Sequence, residues 1–274
     1  MTLYTFGTPA AIRLYVELSK GQLVLTATDT DTTTVSVEGD DPESVIVKQE
    51  GELVSVIGPK HRGLFDFASK GHIVTVTLPD ESALKAQTQS ADVSATGALG
   101  TAQVKTGSGE VALDRVYGPA DLATGSGDVS AAQVRGPFRA KTGSGDVEVD
   151  EALADVYVAT GSGDVRLDRT TGNVEAKTGS GDLRVGHAEG SVSLSTGSGD
   201  LEVREAVRGR VEGKGASGDI RIGIPAGTPV WTDITTVTGE IRSYVKGSGQ
   251  PADGQDHVEL RARTVSGDVT VVEA

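Results

Sequence analysis

The sequence contains no cysteine, which excludes disulfide bonds and thiolate metal sites and suits a reducing compartment. Aromatic residues amount to 4% of the chain and methionine occurs once. A compact globule draws on such bulky side chains for its core, whereas thin stacked coils can bury small apolar residues against their neighbours. Long apolar runs are missing too, and none approaches the length of a membrane span. The opening Met1-Thr-Leu-Tyr-Thr-Phe6 has no basic region followed by an apolar stretch, so no signal peptide is expected. These absences lead to an expectation of cytoplasmic residence without direct membrane insertion. Basic charge is scarce: 25 Lys and Arg stand against 39 Asp and Glu, a formal net charge of −14. General nucleic-acid binding is excluded on that ground, because it needs cationic surface to release counterions.

What the chain does have is glycine, 37 residues in all, arranged periodically. Thr-Gly-Ser-Gly begins at Thr106, Thr124, Thr142, Thr160, Thr178 and Thr196, at steps of 18 residues. An acidic residue follows each copy: Glu110, Asp128, Asp146, Asp164, Asp182 and Asp200. Asp92 is a degenerate earlier copy, and the register loosens afterwards through Asp219, Glu240 and Asp268. Counting each coil from its acidic residue, positions 2 and 4 are apolar (Val147/Val149, Val165/Leu167, Leu183/Val185), as are positions 11 and 13 (Val156/Val158, Val192/Leu194). Period-two alternation places these side chains on one face, giving two short half-buried strands per coil. Glycine at position 9 (Gly100, Gly118, Gly136, Gly172, Gly190) marks the second turn. Turn glycines are expected there for backbone angles that β-branched residues cannot adopt.

The predicted fold is therefore all-β: a parallel β-solenoid with 18-residue two-strand coils and irregular β caps at both ends. Residues 1–70 are read as an N-terminal β cap, with strand-like runs Arg13–Leu18, Gln22–Thr26, Val35–Glu38 and Leu53–Ile57. Residues 71–224 form the repeat solenoid and 225–274 the C-terminal irregular coils and cap, in one continuous elongated domain. Gly247–Asp256 is the most loop-like segment. Caps are needed because a bare terminal coil offers unpaired N–H and C=O groups to any passing strand.

Three features together, Val74-x-Val76-x-Leu78-Pro79, the tandem Thr-Gly-Ser-Gly-Asp-Val turns and Gly218-Asp219-Ile220-Arg221, carry a family resemblance. So do Ile224-Pro-Ala-Gly-Thr-Pro-Val-Trp231 and Val265-Ser-Gly-Asp-Val269. The chain resembles, over nearly its whole length, the bacterial β-strand-repeat family of candidate adhesins of unknown function. That resemblance implies a solenoid of the toast-rack kind and brings no catalytic residues or cofactor with it.

The acidic column asks for an explanation, because like charges one strand spacing apart repel by roughly 1 kcal/mol even in water. Each Asp is expected to accept hydrogen bonds from Ser or Gly amides of its own turn. The competing reading is a cation ladder along Asp128, Asp146, Asp164, Asp182 and Asp200. Calcium wants six to eight oxygens, however, and the opposite turn has no consistent acidic partner. Lys105, Lys141 and Lys177 occupy alternate coils, with Ala123, Ala159 and Ser195 between, which avoids a repulsive ladder. Lys-Thr-Gly and Ser82-x-x-Lys85 imitate penicillin-binding signatures, but no Ser-Asp-Asn occurs. The Gly-Ser-Gly turns lack the following helix of a dinucleotide loop. His61, His72, His187 and His257 are scattered without metal spacing, and Asp29-Thr-Asp31 reads as a hairpin turn.

Two solenoid enzyme classes share the coil size or architecture. Left-handed hexapeptide acyltransferases need a small aliphatic residue every six positions, whereas positions 8 and 14 here hold Leu153, Thr171, Glu189 and Lys141, Ala159, Lys177. Wide β-helix carbohydrate enzymes need longer coils and a cleft with paired carboxylates. The sequence thus points to a non-enzymatic scaffold that contacts a protein partner, with no catalytic residue and no cofactor. A calcium- or glycan-binding surface is the alternative, with a carbohydrate-active enzyme and an ice-binding Thr column more remote. Outward position 3 varies freely in charge (Ser130, Glu148, Arg166, Arg184, Glu202), allowing ion pairs across coils.

Overall fold

A computed structural model describes residues 1–39, 41–59, 71–245 and 256–274. The chain is all-β and divides into two compact units, Met1–Gly136 and Pro137–Ala274. Each unit is a parallel β-solenoid. His61 and residues 247–255 of the loop-like segment lie outside the described residues. Among the described residues no helix is long and apolar enough to cross a membrane.

In the first unit the regular coils begin earlier than the Thr-Gly-Ser-Gly motif does. The runs expected as two strands, Arg13–Leu18 and Gln22–Thr26, are limbs of one long strand, β2 (Arg13–Thr28), preceded by β1 (Thr2–Gly7). Leu14, Val16 and Leu18 are buried on the first limb, Leu23 and Leu25 on the second. β2 thereby forms a coil without a repeat turn. Beyond it come β3 (Thr32–Gly39), a short 3₁₀ turn at Pro42–Ser44, β4 (Ile46–Glu50), β5 (Leu53–Ile57) and β6 (His72–Pro79). β7 (Ala83–Leu99) lies parallel to β2 over both limbs, with Leu14 opposite Leu84 and Leu23 opposite Val93. The pair β8 (Thr101–Lys105) and β9 (Val111–Val116) stacks on β7, followed by β10 (Ala120–Ala123) and β11 (Val129–Val134).

The cap lies on the other edge of β2. There β5 and β6 run parallel to its two limbs. The direction then reverses: β4 is antiparallel to β5, β3 to β6, and β1 to β3. Because β3 pairs with β6 and β1, the Asp29–Asp31 turn carries the chain across β6 and does not close the expected hairpin.

In the second unit two columns of parallel strands stack coil on coil. One column holds β12 (Phe138–Lys141), β14 (Val156–Ala159), β16 (Val174–Thr178), β18 (Val192–Ser198) and β20 (Gly209–Ser217). The other holds β13 (Val147–Ala152), β15 (Val165–Thr170), β17 (Leu183–Ala188), β19 (Leu201–Ala206) and β21 (Ile220–Ile224). Pairing keeps the 18-residue register, with Val165 opposite Leu183 and Val174 opposite Val192. Positions 2, 4, 11 and 13 are buried as expected. A further core column at position 7 (Ala152, Thr170, Ala188, Ala206) breaks simple alternation, because positions 4 and 7 of each six-residue strand are both buried.

The last coils are out of chain order. β22 (Val230–Thr236) and β23 (Ile241–Ser243) precede β24 (Val258–Thr264) and β25 (Val269–Glu273) in sequence. In space, β24 pairs with β20 on one side and β22 on the other, and β25 lies likewise between β21 and β23. The final coil is thus inserted beneath the one before it. Its Val258, Leu260, Ala262, Val269 and Val271 are fully buried, while β22 and β23 are largely exposed.

Candidate functional site

The acidic turn is a hydrogen-bonded spine. In the second unit Asp146 Oδ1 accepts the Asp164 N–H at 2.8 Å, Asp164 that of Asp182 at 2.8 Å, and Asp182 that of Asp200 at 2.8 Å. The chain of bonds continues from Asp200 to Asp219, Asp268 and Glu240, following the spatial order of the inserted coil. In the first unit Asp92 accepts from the Glu110 N–H at 3.0 Å, so the degenerate copy is a full participant. The expected bonding within each Asp's own turn is therefore corrected: the carboxylate acts between coils. Each such bond is charge-assisted, which offsets the repulsion along the column. Asp128 sits at the equivalent turn of the first unit, its C=O accepting the Val111 N–H at 2.9 Å.

Threonine supplies the bond within the turn. Thr142, Thr160 and Thr178 Oγ1 accept the Gly145, Gly163 and Gly181 N–H groups at 2.9–3.0 Å. The same hydroxyls of Thr160 and Thr178 donate to the Gly145 and Gly163 carbonyls of the preceding coil, at 3.3 and 3.1 Å. These threonines are buried, so they offer no outward line to a lattice such as ice. Glycine is required here for a second reason besides the expected one, since at this turn position Gly199, Gly218 and Gly267 do adopt positive φ (157°, 125° and 147°). Gly163 and Gly181 do not adopt positive φ, but a Cβ on Gly163 would lie 1.9 Å from the Gly145 carbonyl oxygen. Close stacking of the coils excludes any side chain.

Among the described residues no group of three or more His, Asp or Glu side chains is placed to hold a metal. His72 is buried, its Nε2 3.1 Å from the Asp41 carbonyl. His187 Nδ1 lies 2.7 Å from Glu205 of the next coil, and His257 lies against the Trp231 ring. Ser82 is fully buried and accepts the Ile12 N–H while donating to the Pro79 carbonyl. Lys141 and Lys177 are separated by Ala159 in the register, and Lys177 pairs with Glu175 at 2.5 Å. Position 3 forms the expected pairs across coils, Arg166 with Glu148 at 3.6 Å and Arg184 with Glu202 at 3.9 Å. Arg166 also donates to Asp168, which draws that carboxyl below its usual range.

A second set of inter-coil bonds lies at the opposite turn, where the sequence shows no constant residue. Asp155 Oδ1 accepts from the Asn173 N–H and Nδ2, Asn173 Oδ1 from the Ser191 N–H, and Ser191 Oγ from the Arg210 N–H, at 2.9–3.2 Å. Asp, Asn and Ser share only an acceptor one or two bonds from Cβ, a signal that residue identity conceals. Beside this turn an open groove of about 800 Å³ runs across the strands from β12 to β24. Its rungs are outward residues in direct register: Arg139, Tyr157, Glu175, Ser193 and Glu212. The Arg139 guanidinium lies 4.9 Å from the Tyr157 ring centroid. A hydrogen bond from Lys214 holds the Glu212 carboxyl below its usual range, and Arg210 does the same for Glu259.

The family model described as Toastrack DUF4097 matches residues 12–272. None of the curated proteins matches the chain. Similar solved structures include a candidate adhesin from Bacteroides fragilis, 13% identical over 98% of this chain and 96% of that one, with a TM-score of 0.39. A candidate lipid-binding protein from Parabacteroides distasonis is 13% identical over 98% and 96%, with a TM-score of 0.41. A candidate adhesin from Parabacteroides merdae is 12% identical over 98% and 95%, with a TM-score of 0.37. At this depth of similarity none of these descriptions transfers to the chain.

Proposed function

The chain belongs to the Toastrack family, and from that premise we propose that it is a non-catalytic scaffold presenting a solenoid face to a protein partner. One observation carries this reading. The polar groups of the acidic turn are spent on bonds between coils, while the outward positions of the β13–β21 column remain exposed and charged. Glu148, Arg166, Arg184, Glu202 and Arg221 form a ribbon of mixed charge that the core does not constrain. Such surfaces steer association and set partner choice more than they add affinity.

Photo-crosslinkers placed at positions 148, 166 and 184 test this. The expected result is one common protein captured from all three and weakened by salt, with capture from position 148 lost on Arg166→Glu with Arg184→Glu. Capture that is indifferent to the charge reversal, or substrate turnover by the purified protein, overturns it.

A further inference from the structure

We propose that the groove on the Pro137–Ala274 unit binds an uncharged, linear oligosaccharide lying along the stacking direction of the coils. The inference is independent of the protein-partner reading, which concerns the other strand column. A concavity of about 800 Å³ falls within the range of ligand sites and differs from the flat face expected of a thin solenoid.

Charge selects the ligand class. Three of the groove's four carboxylates have their own cations close by: Glu175 with Lys177 at 2.5 Å, Glu212 with Lys214 at 2.7 Å, and Glu259 with Arg210 at 2.9 Å. A cation would have to break one of these pairs to gain its carboxylate, while Asp155 already accepts two bonds from Asn173 and the groove cation outside the pairs, Arg139, lies against the Tyr157 ring. A hydroxyl can instead donate to a carboxylate that keeps its partner. The pairs also fix the side chains in place, reducing the ordering cost of binding.

Spacing selects the polymer. Tyr157, Glu175, Ser193 and Glu212 are neighbours in register on successive strands, so a polar or aromatic rung recurs at about 4.8 Å. A sugar chain repeats its hydroxyls and its apolar ring face roughly once per rung. An extended peptide rises about 3.3 Å per residue and would fall out of step within a few residues. Tyr157, steadied by Arg139, supplies an aromatic ring face for the C–H groups of a sugar.

Isothermal titration with cellopentaose and chitopentaose, using the full chain, tests the proposal. One of the two is expected to bind saturably, with affinity falling at least tenfold in Tyr157→Ala and in Glu212→Ala. Arg166→Ala, on the other strand column, should leave binding unchanged, and circular dichroism should show all three variants folded. Absence of saturable binding by both sugars at millimolar concentration overturns the proposal. So does binding that survives Tyr157→Ala and Glu212→Ala, or a partner protein crosslinked through position 157 that neither sugar displaces.

Discussion

At Asp164 a carboxylate exposed to solvent carries structural weight, because its Oδ1 lies 2.8 Å from the Asp182 N–H of the next coil. The amide would otherwise face a turn already filled by the Thr178 bond to Gly181. Asp164→Ala is expected to cost about 1–2 kcal/mol, toward the low side for a charged acceptor because the group is partly solvated. Asp164→Asn keeps a carbonyl oxygen in place and removes one charge from the column, so its cost should stay under about 1 kcal/mol. Urea unfolding of the two variants separates an acceptor role from a purely electrostatic one. Equal losses in both would contradict the hydrogen-bond account. The same geometry explains why glutamate is tolerated at Glu240. It donates its N–H to Asp268 but ends the series of bonds among the described residues of the second unit, so its own carboxylate need not serve a further described coil.

Among the elements, the order of the terminal coils has a consequence for local stability. β24 and β25 are paired on both edges, whereas β22 and β23 are paired only with them among the described residues. The burial differs accordingly: Leu260 and Val269 are 1% and 0% exposed, Trp231 and Ile241 53% and 49%. Amide exchange should therefore be much slower in 258–264 than in 230–236, although the slower segment is nearer the chain end. Opening of the outer coil needs only one interface to part, while opening of the inserted coil needs two. Similar exchange in both segments, measured by mass spectrometry, would contradict the observed strand order. Chain order could not have revealed the insertion. Glu240 and Asp268 sit in almost identical turn motifs, and nothing local says which stacks first on Asp219.

For the molecule as a whole, a charge of −14 and a column of carboxylates invite comparison with calcium-stabilised solenoids. The carboxylates of Asp146, Asp164, Asp182 and Asp200 are already engaged by N–H groups, and no described cluster has metal-ligand spacing. Millimolar calcium is expected to raise the melting temperature no more than magnesium at equal ionic strength. A rise specific to calcium would restore the cation ladder of Asp128, Asp146, Asp164, Asp182 and Asp200. The sequence by itself determined the coil: its 18-residue period, its two strands, positions 2, 4, 11 and 13 of the core, and its parallel stacking. Exact spacing and alternation are properties of the chain taken in order, so they can be read along it. Tertiary structure alone decided which coil each Asp serves, the place of the final coil, and the groove beside Asp155, Asn173 and Ser191. Each of these depends on what lies one strand spacing away across the stack, a neighbour that residue order does not name.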